Sequence, residues 1–170
     1  MEYRIRKPIF ENKNVIEDCV GDEKSFVIPD GVESVSFSAF KECKYLRRLV
    51  IPAGVSSIYI GSFRGYSGID ELVIAEDNEH FCAEDGILYN KEKTAVLGCY
   101  GEVELGHGVR SIGKEAFSEC INLRDITIPE NVTEIGERAF SHIPNLTIRG
   151  KKGTITERYA KENGIAFEVI

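Results

Sequence analysis

Residues 105–150 read LGHGVRSIGKEAFSECINLRDIT followed by IPENVTEIGERAFSHIPNLTIRG, so one pattern of 23 residues is written twice in succession. Alignment of the two halves places Val109 on Val132 and Phe117 on Phe140. A fixed period of this length is typical of repeat proteins, in which each unit buries its apolar side chains against its neighbours. The chain is therefore predicted to be a repeat protein.

Two looser copies of the same 23-residue pattern precede this stretch. They are IPDGVESVSFSAFKECKYLRRLV at residues 28–50 and IPAGVSSIYIGSFRGYSGIDELV at residues 51–73. The period then fails, because the next two repeat starts, Ile74 and Leu105, lie 31 positions apart. The array is therefore expected to be interrupted between its two pairs of repeats.

The interrupting text contains two apolar runs, GILY and TAVLG, around the polar turn NKEK. Two apolar runs joined by a short polar turn are typical of a β-hairpin. We therefore predict a hairpin with strands at Gly86–Tyr89 and Thr94–Gly98, which replaces the helical part of a repeat.

Each regular copy contains the same local signals. The position before the first valine is Gly31, Gly54, Gly108 or Asn131 in the four copies. Glycine and asparagine adopt the left-handed backbone region at the lowest energetic cost, so a turn with positive φ is predicted there. VxxI or VxxV then predicts a short strand. GKEAFSEC and GERAFSHI predict one to two helical turns with Ala and Phe facing inward, and GSFRGYSG at residues 61–68 is interpreted as a degenerate form of that helix. The closing LxxLxI has the spacing of a leucine-rich repeat strand.

The segments outside the repeats are predicted to cap the array, because a solenoid would otherwise expose its core to water. Residues 1–27 carry apolar side chains punctuated by ENKN and GDEK, which indicates a short hairpin or a pair of strands. In KKGTITERYAKENGIAFEV, Thr154 and Glu157 have capping-box spacing and the later Asn-Gly is a helix stop. A short helix followed by a strand at Ile165–Val169 is therefore expected.

The bulk composition excludes several classes of protein. The 170 residues are 42% hydrophobic, as in one ordinary soluble domain, and no apolar run approaches the ~18 residues of a membrane-spanning helix, so no membrane span is expected. The net charge of −7 argues against nucleic acid, whose phosphates require clustered Lys and Arg. The N-terminal residues lack the apolar core of a secretory signal, which predicts a cytoplasmic protein if the chain is full length.

The five cysteines form an odd set without a CxxC pair, which argues against a disulfide framework or a zinc knuckle. They are Cys19, Cys43, Cys82, Cys99 and Cys120. Cys43 and Cys120 occupy the same slot of their repeats, as expected of buried structural thiols. The three histidines are scattered, with no HExxH motif, so neither a metal nor another cofactor is expected.

The motifs together resemble a known family. IPxxVxxIGxxAFxxCxxLxxI, interrupted by DGILYNKEKTAVL and ended by ERYAKENGIAF, is similar to the BspA-like leucine-rich repeat proteins, also called the Treponema pallidum type. The resemblance extends from about Asn14 onward and implies a slightly curved right-handed solenoid with parallel strands. It also implies a bacterial protein that is often displayed on the cell surface or secreted, with adhesion to host matrix proteins or other cells in some members. No catalytic residues are associated with the family, so none carry over.

The predicted fold class is therefore an α/β repeat solenoid, a leucine-rich repeat right-handed superhelix with parallel strands, short helical turns, an inserted β-hairpin and terminal caps. The chain is expected to form one domain. Its parts are the N-terminal cap (1–27), two repeats (28–73), the irregular repeat (74–104), two repeats (105–150) and the C-terminal cap (151–170).

A partner-binding surface is predicted on the LxxLxI strands, at positions that the repeat leaves free. The candidate residues are Arg47, Arg48, Asp70, Glu71, Arg124 and Asp125. If the first two of these strands are neighbours, each arginine lies beside an acidic residue, close enough for a cross-strand pair. The alternative is that these charges only stabilise the ladder, since an exposed pair is worth ~0–1 kcal/mol. The expected function is a non-catalytic, adhesin-like protein–protein interaction module with an unidentified protein partner, and not an enzyme.

Two other interpretations remain open. A small-ligand-binding or enzymatic protein would have a pocket near the hairpin at residues 76–104, around His80, Cys82 and Asp85, because a thiol beside an imidazole can act as a nucleophile. The sequence shows no third group that would orient such a base. The chain is alternatively a fragment or relic of a longer surface adhesin.

Overall fold

The computed structural model describes residues 1–6, 14–36, 39, 40, 42–59, 69–100 and 103–170. Over these residues the chain forms short strands and, near its C-terminus, one α-helix. In chain order the elements are β1 (Glu2–Arg6), β2 (Val15–Val20), β3 (Ser25–Val27), β4 (Ser34–Val35), β5 (Arg48–Ile51), β6 (Ser57–Ile58), β7 (Glu71–Ile74), β8 (Phe81–Glu84), β9 (Ile87–Asn90), β10 (Ala95–Cys99), β11 (Ser111–Ile112), β12 (Asp125–Thr127), β13 (Glu134–Ile135), β14 (Thr147–Gly150), α1 (Ile155–Glu162) and β15 (Ala166–Val169).

The strands stack as two parallel ladders, one for each strand motif of the repeat. The LxxLxI strands form β3–β5–β7 and β12–β14–β15, and the VxxI strands form β4–β6 and β11–β13. Equivalent residues of successive repeats lie opposite each other; for example, Leu49 of β5 lies opposite Leu72 of β7. Because strand side chains alternate between faces, this register stacks the buried leucines on one face and leaves the intervening residues outside. The predicted solenoid of parallel strands is confirmed.

The two described segments that follow Gly113 and Gly136 and carry Phe117 and Phe140 are not helical, contrary to the prediction. Residues 114–119 and 137–142 form successive turns. Positive φ values recur within them, at Glu115, Glu119, Arg138 and His142. An α-helix requires negative φ throughout and bonds from each N–H to the carbonyl four residues earlier. These segments therefore leave amides free to bond outside their own repeat.

Every second amide of the first turn segment donates to the next segment instead. The bonds run from Glu115 to the carbonyl of Glu137 (3.1 Å), from Phe117 to that of Ala139 (2.8 Å) and from Glu119 to that of Ser141 (3.0 Å). The backbone is thus hydrogen-bonded between repeats on this side as well, although no regular strand forms. This stacking satisfies the amides that a helix would have bonded internally.

The inward-facing residues of the turn segments are those that the sequence predicts. Phe117 and Phe140 are buried, and their rings stack with centroids 4.9 Å apart and 8° between their planes. Close stacking also explains the glycine at the start of the segment, because a Cβ on Gly136 would lie 2.4 Å from the amide nitrogen of Lys114. Adjacent segments approach too closely there for any side chain.

The turn that opens each repeat is present, but its predicted positive φ is wrong for three of the four positions. The amide of Val55 donates to the carbonyl of Pro52 at 3.3 Å, and the other regular repeats make the equivalent bond. Of the four residues at this position, only Gly31 has a positive φ, of 84°. Asn131 instead acts through its side chain. The side-chain amide nitrogen donates to the carbonyls of His107 (2.8 Å) and Val109 (2.6 Å) in the preceding repeat.

The interruption contains three strands where the sequence predicts two. β9 and β10 pair antiparallel and correspond to the predicted hairpin, and β8 adds a third antiparallel strand. β10 then pairs in parallel with β11, so that Ala95 lies opposite Ser111. The insertion therefore supplies the missing rung of the VxxI ladder.

The N-terminal residues form the predicted strand pair. β1 and β2 are antiparallel, and β2 also pairs in parallel with β4 of the first repeat. Part of the predicted ENKN turn, and the degenerate helix predicted at residues 61–68, lie outside the described residues. The N-terminal segment therefore covers the first repeat by continuing its ladder.

The C-terminal helix and strand are both confirmed, but the capping box is incomplete. The Glu157 carboxylate accepts from the amide of Gly153 (2.7 Å), while the Thr154 hydroxyl donates to the carbonyl of Lys151 (2.7 Å) and caps no helical amide. The helix ends at Glu162 with Asn163 as its C-cap, and Gly164 follows with φ 67°, as expected where the chain reverses after a helix. β15 then extends the LxxLxI ladder beyond β14.

Two of the five cysteines are disulfide-bonded, so the prediction that Cys120 is a buried structural thiol is wrong. Cys99, at the end of β10, is bonded to Cys120, which follows the first turn segment. Spacing could not reveal this pair, because the irregular insertion sets the position of Cys99. Cys43 is a buried thiol as predicted, and it donates to the carbonyl of Cys19 at 3.0 Å.

The end of the stack is closed by Tyr159 of α1. Its ring packs edge-on against Phe140 with centroids 5.9 Å apart, and its hydroxyl accepts from the Phe140 amide at 3.4 Å. The equivalent amide one repeat earlier, that of Phe117, donates to a main-chain carbonyl. The tyrosine hydroxyl therefore takes the place of the carbonyl that a further repeat would have supplied.

Replacement of Tyr159 by phenylalanine is expected to lower the free energy of unfolding by about 1–2 kcal/mol, because the Phe140 amide becomes a buried donor without an acceptor. Urea denaturation of the wild-type and variant chains measures the difference. Tyr45→Phe is the matched control, since Tyr45 is 56% exposed. Equal loss in both variants would contradict a specific role for the Tyr159 hydroxyl.

Candidate functional site

The candidate surface is the outer side of the LxxLxI ladder, called here the strand face and defined by Arg47, Arg48, Asp70, Glu71, Val27, Val50 and Val73. Each strand turns its leucine inward, so the residues on either side of that leucine face solvent. In β5, Leu49 is buried whereas Arg48 and Val50 are half-buried. The repeat therefore presents the residues that its own core does not need.

Four of the predicted residues form cross-strand ion pairs as expected. Arg48 lies opposite Glu71 in the register of β5 and β7, and Nε of Arg48 is 2.8 Å from the Glu71 carboxylate. Nε of Arg47 is 3.8 Å from the carboxylate of Asp70. The side chains of all four remain between 42% and 77% exposed. Exposed pairs of this kind contribute only about 0–1 kcal/mol to stability, so their charges remain available to a partner.

A row of valines runs beside these charges. Val27, Val50 and Val73 lie opposite one another on β3, β5 and β7. Val27 is 57% exposed, and the other two are half-buried. An apolar row next to a charged row combines the two components of protein interfaces, apolar contact and polar complementarity.

The remaining two predicted residues lie on the second LxxLxI sheet, apart from the other four. Arg124 precedes β12 and donates to the carbonyl of Pro144 at 3.0 Å. Asp125 begins β12 and forms an ion pair with Arg149 of β14. β12 and β7 belong to different sheets, so the structure gathers the six residues into two clusters.

Arg149 and Glu168 complete the second cluster and were not predicted as site residues. Arg149 lies opposite Glu168 of β15, and its Nε is 2.9 Å from that carboxylate. The hydrogen bond to Glu168, together with the charge of Asp125, raises the pKa of the Arg149 guanidinium. Sequence offered one signal, since Arg149 interrupts a strand motif that is otherwise apolar at this point. Glu168 carried none, because it lies in the cap rather than in a repeat.

The residues of the alternative hairpin site do not form a nucleophilic pair. The Cys82 thiol donates to the carbonyl of Asn90 at 3.3 Å, whereas the His80 ring lies beside Phe81, with centroids 6.1 Å apart. Burial raises the pKa of the Cys82 thiol, although nearby lysines oppose the shift. The thiolate needed for nucleophilic attack is therefore disfavoured. Asp85 is exposed in the turn between β8 and β9.

Residues of the hairpin instead hold the irregular repeat in place. Asn78 is fully buried, and its side-chain amide donates to the carbonyls of Pro52 (3.1 Å), Ala53 (3.4 Å) and Val55 (3.0 Å). Its side-chain oxygen accepts from the amides of His80 and Phe81, both at 2.9 Å. Asn78 therefore joins the second repeat to the start of β8.

Among the described residues, no three His, Cys, Asp or Glu side chains are grouped as metal ligands. Within the same part of the chain, no helix has both the length and the apolar character needed to cross a membrane.

Comparison with solved structures places the chain among bacterial leucine-rich repeat proteins. A leucine-rich repeat protein from Eubacterium ventriosum is 26% identical over 78% of this chain, with a TM-score of 0.67. A leucine rich cell surface protein from Faecalibacterium prausnitzii is 24% identical over 74% of this chain, with a TM-score of 0.54. The pneumococcal vaccine antigen PcpA is 19% identical over 74% of this chain, with a TM-score of 0.56.

The chain corresponds to only part of these proteins. The matched regions cover 37% of the Eubacterium protein, 40% of the Faecalibacterium protein and 41% of the pneumococcal antigen. No curated protein sequence matches the chain.

The sequence pattern of the family agrees with the architecture. The BspA type leucine rich repeat region matches in 6 copies, at residues 5–86 and 99–160. These two ranges span most of the chain. The gap between them, residues 87–98, contains β9 and all but the last residue of β10, where the antiparallel insertion replaces the regular unit. The chain belongs to the BspA-type leucine-rich repeat family.

Proposed function

We propose that the chain is a non-catalytic protein-interaction module that binds an unidentified protein partner through the strand face. One observation carries the proposal: the paired charges of Arg48 and Glu71 lie in register beside the valine row, of which Val27 is exposed. Since the charge pairs add little to folding, their ordered position is better explained by recognition. Complementary charges then orient the partner, and the valines supply buried apolar area.

The second cluster, around Arg124, Asp125 and Arg149, extends this surface in the proposal. Arg149 pairs with two carboxylates, those of Asp125 and Glu168, and the charge of Arg124 beside them brings the net charge of the cluster to zero. Both clusters therefore present balanced charges, and a partner would match them by the positions of its own charges rather than by its net charge.

We place this interaction outside the cytoplasm, on the cell surface or in a secreted protein with an adhesin-like role. The Cys99–Cys120 disulfide supports an oxidising compartment, because cytosolic thiols are kept reduced. Two of the similar structures are described as a cell surface protein and a vaccine antigen, which agrees with that location. A small-ligand or enzymatic role at the hairpin is the weaker candidate, since burial raises the pKa of the Cys82 thiol and disfavours the thiolate.

Charge reversal on the strand face tests the proposal. The immobilised chain would be screened for capture of host matrix proteins and bacterial surface proteins. Arg48→Glu and Glu71→Lys are each expected to weaken capture of the partner by about ten-fold or more, as for a loss of roughly 1–2 kcal/mol at a charged contact. The double variant restores the pair within the chain but presents reversed charges, so it is expected to remain weak.

Lys114→Glu provides the matched control. Lys114 forms a similar exposed pair with Glu137 (3.0 Å), but on the turn side of the repeats. Capture should be unchanged in this variant, and thermal unfolding should show all variants folded. A partner that is captured equally by Arg48→Glu, Glu71→Lys and Lys114→Glu would contradict binding at the strand face.

A further inference from the structure

The last turn segment, residues 137–142, repeats the backbone conformation of the one before it. The φ angles are 56° at Arg138 and 59° at His142, against 55° at Glu115 and 62° at Glu119. The amides of these residues therefore point the same way in both segments, toward the next unit of the array. In the earlier segment, both amides donate to carbonyls of that unit.

The C-terminal cap follows the last turn segment, so the amides of this segment have different neighbours from those of the earlier one. The Phe140 amide donates to the Tyr159 hydroxyl. Within the described part of the chain, the amides of Arg138 and His142 donate to no acceptor. Arg138 and His142 are both exposed, so a partner can reach their amides. Two donors four residues apart thus flank an occupied central position.

These donors face a groove of about 750 Å³ between the last turn segment and the C-terminal cap. Its apolar lining includes Phe140, Ile143, Leu146, Tyr159 and Ile165, and its polar lining includes Ser141, Asn145 and Asn163. Asn163, Gly164 and Ile165, which link α1 to β15, also line the groove. Ala166, at the start of β15, lines the opposite wall.

We propose that this groove binds an extended peptide segment of a partner protein, whose main-chain carbonyls accept from the Arg138 and His142 amides. The peptide would continue the hydrogen bonding that joins one turn segment to the next. Its central residue must be small, because Tyr159 already fills the aromatic position. An apolar side chain of the peptide would pack against Ile143 and Ile165. This is main-chain recognition of the kind seen when a peptide adds to an exposed backbone edge.

A second copy of the chain is a poorer occupant than a different protein. The carbonyls that such bonding needs are those of Glu137, Ala139 and Ser141, and they already accept from the preceding segment. A partner segment outside a folded repeat has its carbonyls free. The proposal is independent of the strand face, so failure of one leaves the other standing.

Amide hydrogen exchange of the free chain, followed by NMR, is the first test. The amides of Glu115 and Glu119 are expected to be protected, whereas those of Arg138 and His142 should exchange at least about ten-fold faster, since they lack an acceptor. Equal protection at all four amides would overturn the proposal, because it would mean that the last segment has no donors to offer.

The second test adds the synthetic peptide GERAASHIPNLT, which is residues 136–147 with alanine in place of the phenylalanine. Exchange at Arg138 and His142 should slow by at least about ten-fold at saturation, and Ala166→Trp should weaken peptide binding by about ten-fold or more by filling the groove. Val169→Trp is the matched control, since Val169 lies on the same strand, is 60% exposed and does not line the groove. The strand-face variant Arg48→Glu should bind the peptide normally.

Three results would overturn the proposal. One is the absence of peptide binding at millimolar concentration, and another is binding that Ala166→Trp and Val169→Trp weaken equally. The third is concentration-dependent dimerisation that protects the two amides without peptide, which would assign the groove to a second copy.

Discussion

Replacement of Asn78 by alanine is expected to lower the free energy of unfolding by about 3–5 kcal/mol, the largest effect predicted for a single side chain of this protein. The side chain is fully buried, its two amide hydrogens are shared among three carbonyl oxygens, and its oxygen accepts from two amides. Alanine would leave the buried Phe81 amide and the Val55 carbonyl without that partner. Because a domain is stable by only about 5–15 kcal/mol, the change removes a large share of the total.

Chemical denaturation of wild type and Asn78→Ala measures this loss. Asn78→Asp separates the two halves of the network, since aspartate keeps the acceptor for the His80 and Phe81 amides but places a carboxylate against carbonyl oxygens. It should be at least as destabilising as alanine at neutral pH. Asn131→Ala is the control, because Asn131 also spans two repeats but is only half-buried. A loss for Asn78→Ala no greater than that of Asn131→Ala would contradict the account.

Removal of the Cys99–Cys120 disulfide is expected to cost about 3 kcal/mol, the value for a closed loop of this size. The two residues are 21 positions apart and join the irregular insertion to the first regular repeat after it. The double variant Cys99→Ser/Cys120→Ser should unfold at lower urea concentration than oxidised wild type and should not respond to a reducing agent. Reduced wild type should resemble the variant.

Counting thiols provides the control for that experiment. Denatured, non-reduced wild type should react with an alkylating reagent at three cysteines, Cys19, Cys43 and Cys82, and reduced protein at all 5. Five reactive thiols before reduction, in protein purified without a reducing agent, would contradict the bond and remove its support for an oxidising compartment.

The period of the sequence was sufficient to predict the ladders. Apolar residues at fixed spacing identify the inward face, and Leu49, Leu72, Phe117 and Phe140 are buried as their slots require. The cross-strand pairs of Arg48 with Glu71 and of Arg47 with Asp70 followed from the same period, because a constant repeat length fixes the register.

The turn segments show where periodicity stops being informative. Ala and Phe in GKEAFSEC face inward in either a helix or a stacked turn, so the burial pattern predicts the core but not the backbone. The deciding interaction is the bond from the Phe117 amide to Ala139 in the next repeat. Such a bond is a property of the array and has no signal in one copy.

Features of the irregular regions could not be predicted, because no second copy exists with which to align them. Asn78, Cys99 and Glu168 all lie in the insertion or the cap, and each has a partner 19 or more residues away in sequence. Of the second cluster, only Arg149 departs visibly from a repeat pattern. The ion pairs of the strand ladder were thus predicted where the repeat is regular and missed where the cap completes the second cluster.

The most direct test of the proposed function is to map the footprint of a captured partner on the chain by amide hydrogen exchange. Binding at the strand face predicts slower exchange in β3, β5 and β7, with smaller changes in β12 and β14 and none at residues 114–119. A footprint confined to the turn segments or to the hairpin strands β8 and β9, with β5 and β7 unchanged, would contradict it.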